Sequence, residues 1–310
     1  MALDLKPGDE VITCPFTFVA TVEVIALMHL KPVFVDVHPD TMMLDETKLE
    51  AAITDKTKAI IPVHLFGQVA NMEAIMDIAN RHNVAVVEDN AQAIGATYTF
   101  SDGTTKGAGT IGHIGTTSFF PSKNLGCYGD GGAMFTNDEN LFKRLNLIVN
   151  HGMEKRYYHD DIGVNSRLDS IQAAVLDIKL KYLDEYGKAR QEAAARYDEY
   201  FTKVEGVTIP ARAKGSTHVF HQYTLKVENG RDELSAYFKE QGIPHGIYYP
   251  VPLHLQKAYM GYGFQKGDFP VTEKLCEQVI SLPMHTELDE ELQNFICQKL
   301  EEGLQTAVTL

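Results

Sequence analysis

Between residues 11 and 89, short β-rich runs alternate with helix-like stretches, and that alternation limits the chain to few architectures. Val11-Ile12-Thr13, Pro32 to Val37, Ala59 to Val63 and Ala85 to Glu88 read as strands. Val19 to Leu30, Thr47 to Ile53 and Met72 to His82 read as helices between them. Strand–helix–strand order predicts an α/β fold, a mostly parallel sheet sandwiched by helices. Ligands on such sheets bind beyond the carboxyl ends of the strands. Glu88-Asp89-Asn90-Ala91-Gln92 falls at such an end.

Further along, Thr116 to Phe120 and Ala133 to Thr136 read as strands, followed by a helix over Glu139 to Val149. A helical stretch runs from about Ser170 to Lys203, with Gly187 as a candidate bend. It divides the chain into a large domain over 1–186 and a connecting helix with a smaller α+β domain over 187–310. In the latter, Val219 to Val227 alternates like an antiparallel strand, and Arg231 to Gln241 is a helix stopped by Gly242. Ile247-Tyr248-Tyr249 reads as a strand. Thr272 to Ile280 and Asp289 to Leu304 read as helices.

The chemistry concentrates in Thr117-Ser118-Phe119-Phe120-Pro121-Ser122-Lys123-Asn124-Leu125-Gly126-Cys127-Tyr128-Gly129-Asp130-Gly131-Gly132. Here one lysine precedes four glycines within seven residues. A lysine in a glycine-rich loop, with Asp89 at a strand end, suits a pyridoxal phosphate enzyme. The lysine holds the cofactor aldehyde as a Schiff base and the acid faces the pyridine nitrogen. A carboxylate about 4 Å from a pyridinium contributes roughly 4 kcal/mol at an effective dielectric near 20. That is about three pK units, enough to keep the ring protonated at neutral pH. The glycines are expected to allow positive φ and close backbone approach to a flat ring. Each residue alone has a plainer reading: a solvated lysine, an aspartate capping the next helix.

Several stretches in order resemble the DegT/DnrJ/EryC1/StrS sugar aminotransferases, of the aspartate-aminotransferase fold (fold type I). They are Gly8-Asp9-Glu10-Val11-Ile12, Thr17-Phe18-Val19-Ala20-Thr21, Pro62 to Gly67, Glu88 to Gln92, the Lys123 loop, Gly163 to Asp169, Tyr249 to Leu253 and Ser281 to His285. The resemblance implies a catalytic Lys123 that carries the cofactor, pyridoxal 5'-phosphate, and then moves the proton between substrate carbon and cofactor. It implies Asp89 on the pyridinium, Gln92 on the ring hydroxyl, Ser118 on the phosphate and Phe18 stacked on the ring. Phe18 reads equally as a core helix residue. Asn165 matches a residue that reaches a neighbouring subunit's site, which makes the unit a homodimer with shared active sites. Its plainer reading is a turn residue. His64, Arg167 and Tyr249 are substrate-contact candidates, and His64 reads equally as a structural histidine.

The implied partners are a nucleotide-sugar substrate and an amino-acid donor, commonly L-glutamate. The branch matched best makes a 3-amino sugar from UDP-2-acetamido-3-keto-glucuronate for cell-surface polysaccharide, with Arg167 facing the sugar carboxylate. That branch has histidine where this chain has Tyr248, so a 3- or 4-keto-6-deoxy sugar is the alternative. The family also carries a helix and a phosphate-binding loop before Gly8, which this sequence lacks. Two or three lost charge-assisted bonds at ~1.5–3 kcal/mol each would weaken cofactor binding. A truncated pseudoenzyme that binds without turnover is therefore a further alternative.

Composition narrows the partners. The 42 acidic against 28 basic residues give a formal charge of −14, which argues against nucleic acid. Lys155, Arg156 and Arg167 could still form a local basic pocket. The four cysteines have no paired spacing. No apolar run reaches the ~18 residues of a membrane span, and the start has no signal pattern, so a cytoplasmic location is expected.

Overall fold

The computed structural model describes residues 1–308, and side chains through residue 305. Its central sheet has six strands in the order Lys31–Phe34, Glu10–Thr13, Thr57–Ile60, Ala85–Asp89, Ile114–Ser118, Gly132–Phe135. The first five run parallel and the sixth pairs antiparallel to Ile114–Ser118. Parallel strands need crossovers. The helices Ala20–Leu27 and Met72–His82 supply two of them. The largest buried cluster joins Ile12, Ile60 and Val86 of the sheet to Met72, Ile75 and Ala79 of the second helix. That helix spans the predicted residues and is bounded by caps on both sides. Asn71 Oδ1 accepts from the Ala74 amide, and Asn83 adopts the left-handed conformation.

A second cluster holds Tyr197, Phe201, Tyr223, Leu225, Leu234, Phe238, Ile280 and Leu300. It lies between the helices Leu183–Phe201, Arg231–Glu240 and Glu290–Val308 and a three-stranded sheet, Val207–Thr208, Tyr223–Val227, Val279–Leu282. A polar staple fixes the Pro270–Gln278 helix to the large sheet. Asp36, just beyond the Lys31–Phe34 strand, accepts from the Val271 amide (3.0 Å), the Thr272 amide (3.0 Å) and the Thr272 hydroxyl (2.8 Å). Leu275, Cys276 and Val279, a turn or two further on, belong to the larger cluster.

Several predicted boundaries are corrected. The first helix ends at Leu27, because His29 turns left-handed at φ 57°. The long helix breaks at Lys181–Tyr182, between Ser170–Leu180 and Leu183–Phe201, and Gly187 is an interior residue facing Val219. The expected 186/187 boundary thus falls inside a helix. Val219 to Gln222 is not strand, since its backbone is used against Gly67 and Phe66. Ile247-Tyr248-Tyr249 is not strand either, and only Gly246 bridges to Ser281. Val279 to Leu282 leaves the predicted helix to pair with Tyr223–Val227, which buries all four residues. Among the described residues, no helix is long and apolar enough to cross a membrane.

Candidate active site

Asp89 ends its strand and sits beside the amino-terminal turn of the Ala20–Leu27 helix. The Thr21 hydroxyl donates to Asp89 Oδ2 at 2.7 Å, and the Ala91 amide to Oδ1 at 3.1 Å. No helix comes directly after it, so Asp89 caps only a turn. Thr21 Oγ1 in turn lies 3.2 Å from Thr17 Oγ1. These contacts orient the carboxylate.

Lys123 lies in the loop between the antiparallel strands Ile114–Ser118 and Gly132–Phe135. The Phe119 amide donates to Gly131 O (2.8 Å), closing the base of the loop, and the Lys123 amide donates to Phe120 O (2.8 Å). Next to it, Asn124 Nδ2 reaches Val219 O at 3.0 Å, which ties the loop to the second half of the chain. The Lys123 ammonium donates no hydrogen bond to any described residue. Burial pushes its pKa below the usual lysine value, and the Asp89 charge partly offsets this. A half-buried amine shifted toward the neutral form is suited to nucleophilic attack and proton transfer. The loop glycines are not there for positive φ, which none of Gly126, Gly129, Gly131 and Gly132 adopts. They serve close packing: a Cβ on Gly132 would stand 2.7 Å from Thr117 O, and one on Gly131 3.0 Å from Leu168 Cδ1.

Gln92 joins the cluster from the turn after Asp89. Its Oε1 accepts from the Phe66 amide (2.7 Å), and its Nε2 donates to the Tyr249 hydroxyl (3.2 Å). Tyr249 approaches from the opposite end of the chain, and its ring lies 6.5 Å from that of Phe18. Phe18 precedes the first helix and is 55% exposed, so the core-helix reading fails. Ser118 ends its strand with a half-buried hydroxyl that accepts from the Phe120 amide at 3.2 Å.

The remaining candidates lie elsewhere. His64 is fully buried. Its Nε2 is 2.8 Å from Glu88 Oε2 and its Nδ1 accepts from the Ala70 amide at 3.3 Å. With both ring nitrogens used and no surface exposed, it offers nothing to a substrate, and the structural reading replaces the expected contact. Asn165 and Arg167 lie on an exposed segment after the Glu139–Val149 helix. Asn165 bridges to Asn150, and Arg167 Nη1 donates to Asn150 Oδ1 at 2.6 Å. Neither touches the Asp89–Lys123 cluster within one chain.

Sequence reasoning passed over His221, which it assigned to a strand. This side chain is buried, its Nδ1 is unpartnered, and burial with the nearby Lys123 charge holds its pKa well below the ordinary value. It is a neutral polar group facing the lysine. A free half-buried amine, an oriented carboxylate, an amide fork and a strand-end hydroxyl together fit the donor and acceptor set of a pyridoxal ring and phosphate.

The sequence pattern of the DegT/DnrJ/EryC1/StrS aminotransferase family matches residues 1–301. The chain belongs to this family. It is a pyridoxal-phosphate-dependent sugar aminotransferase of fold type I. It is 46% identical over 300 residues to the UDP-2-acetamido-2-deoxy-3-oxo-D-glucuronate aminotransferase of Pseudomonas aeruginosa, covering 97% of this chain and 81% of that one. It is 49% identical over 303 residues to the pleiotropic regulatory protein of Geobacillus stearothermophilus, with 97% and 80% covered. Among solved structures, S. venezuelae DesV in complex with a ketimine intermediate superposes with a TM-score of 0.92 at 39% identity, covering 97% of this aminotransferase and 80% of that chain.

Proposed function

We propose that this aminotransferase moves an amino group, from L-glutamate, onto the keto carbon of UDP-2-acetamido-3-keto-glucuronate, giving the 3-amino sugar for cell-surface polysaccharide. The observation that carries the transfer chemistry is the unpaired, half-buried Lys123 amine facing Asp89. The likeness to the P. aeruginosa enzyme carries the sugar. When bound, pyridoxal phosphate supplies a carbonyl for covalent capture and a ring that accepts electron density.

The protein's share follows from its own groups. Lys123 would hold the cofactor through its aldehyde, and its amine would carry a proton to and from the reacting carbon. Asp89, oriented by Thr21 and Ala91, holds the ring nitrogen protonated. Gln92 orients the ring hydroxyl, with Tyr249 behind it on the substrate side. Ser118 donates to the phosphate, and Phe18 covers one ring face. Asn165 and Arg167 act on a second copy's site, with Arg167 as the fork for the sugar carboxylate. The exposure of Phe120, Tyr128, Ile162, Ile171, Ile178 and Leu180 around that segment supports a homodimer with shared sites. The buried, unpaired cysteines support a cytoplasmic setting.

A second substrate reading is a 3- or 4-keto-6-deoxy nucleotide sugar. Tyr248 favours it, as does 41% identity to the dTDP-3-amino-3,4,6-trideoxy-alpha-D-glucose transaminase of Streptomyces venezuelae over 93% of this chain. The test has two steps. Borohydride reduction after loading with pyridoxal phosphate, followed by peptide mapping, places the label on Lys123; a label scattered over surface lysines overturns the site. Turnover is then compared on the 3-keto uronate and the 6-deoxy keto sugars. Preference for the latter overturns the first substrate.

A further inference from the structure

A cluster far from this site in sequence and lining has no role in the transfer. Val37 bridges antiparallel to Leu44, with the His38 amide donating to Met43 O (2.9 Å) and the Asp45 amide to Asp36 O (3.0 Å). This tight reversal returns Asp45 and Glu46 to the side of His38. His38 Nε2 stands 2.7 Å from Glu46 Oε2 and 3.5 Å from Asp45 Oδ1, and one ligand atom from each residue lies within 4.8 Å of the others.

We propose that His38, Asp45 and Glu46 form a binding site for one zinc-class divalent cation at the wall of a cavity separate from the Asp89–Lys123 site. Donor atoms about 2.0 Å from a tetrahedral zinc ion stand about 3.3 Å from one another. The two measured distances from the imidazole bracket that value, so small side-chain rotations suffice. Two carboxylates and an imidazole are a zinc-class donor set, with Lys48 offsetting part of the Asp45 charge.

The two carboxylates have the outer support such sites need. Asn71 Nδ2 donates to Glu46 Oε1 at 2.6 Å and is held by the Tyr98 hydroxyl at 2.9 Å, which leaves Glu46 Oε2 for the ion. Lys48 holds Asp45 Oδ2 at 3.0 Å, so Oδ1 is the oxygen offered to the ion. Oδ1 accepts from the Thr47 amide and hydroxyl, and the hydroxyl rotates away when the ion arrives. Access is the second, separate observation. His38 and Glu46 line a cavity of about 520 Å³ whose other walls include Tyr98, Phe100 and Lys214. A ligand set of three with an open side toward such a cavity leaves a fourth position for water.

The test is equilibrium dialysis of the holoenzyme against Co²⁺, read by metal content and by the visible bands that tetrahedral Co²⁺ shows. The buried cysteines remove thiolate competition. The expected result is one Co²⁺ per chain with tetrahedral bands, with affinity lowered more than about tenfold in both His38→Ala and Glu46→Gln. Binding that neither variant changes overturns the proposal. So does an absence of stoichiometric binding.

Discussion

Glu88 and Asp89 are neighbours in one strand, and the pleat sends their carboxylates to opposite faces. Glu88 is fully buried and saturated. Its oxygens accept from the Gly109 amide (2.9 Å), the Ile111 amide (2.6 Å) and the Gly112 amide (2.5 Å), and pair with His64. Those contacts hold its carboxyl below the usual range in spite of burial. Asp89 has two contacts and stands open toward an unpaired lysine. The first acid is spent on the fold and the second keeps capacity for the ligand proposed above, so counting partners distinguishes the two where residue type cannot. His64 and Lys123 repeat the contrast. The histidine has spent both nitrogens, and the lysine has spent none.

The largest effect expected is on Lys123. Lys123→Ala should lower transamination by at least about a thousandfold, as loss of both a covalent and a proton-transfer group implies. Far-UV circular dichroism should remain unchanged. Retained turnover would break the assignment of the open face. The paired substitutions come next. Asp89→Asn should cut turnover by about a thousandfold, the equivalent of roughly 4 kcal/mol, with a urea midpoint near that of the parent. Glu88→Ala should do the reverse. It strands His64 and three amides, costing about 3–5 kcal/mol in urea unfolding, while the folded fraction keeps its turnover per site. If Glu88→Ala proved harmless to stability, the contrast would fail.

Smaller effects sharpen it. Thr21→Val removes one bond to the open carboxylate and should cost about tenfold in turnover, about 1.4 kcal/mol, read as kcat at saturating substrate. The last effect is in the pH dependence of stability. His218 is buried, its ring stacks on Phe220 at 3.8 Å, and burial lowers its pKa to about 3. The unfolded chain takes up this proton near pH 6.5 and the folded chain only near 3. Stability should therefore fall with acid through that window, by up to about 1.4 kcal/mol per pH unit from this residue. His218→Gln should flatten the slope of unfolding free energy against pH between those values. An unchanged slope would show that His218 titrates normally.

The sequence made the parallel sheet legible because each crossover carries its own local signal. Met72–His82 and Glu139–Val149 carry caps and helical periodicity and match their predicted bounds. The loop and strand-end positions of Lys123, Asp89 and Gln92 were legible from local pattern, while the role proposed for Gln92 came from the family resemblance. Their meeting with Tyr249 was not, since it depends on long-range packing. Positive φ in the loop glycines was wrongly expected, because composition cannot distinguish positive φ from tight backbone contact. Val279–Leu282 was missed because an apolar run directly after a helix continues the helical pattern until a distant strand claims it. His221 was hidden for the same reason, inside an alternation that reads as strand.

The Asp36 staple has a mechanical consequence. It clamps the start of the Pro270–Gln278 helix to the end of a large-sheet strand, and the next turn of that helix is rooted in the larger core. Both ends of the staple lie at the larger core, so the helix is a fixed part of that body, and the smaller core begins just beyond it, where Val279 belongs to the larger cluster and Ile280 to the smaller.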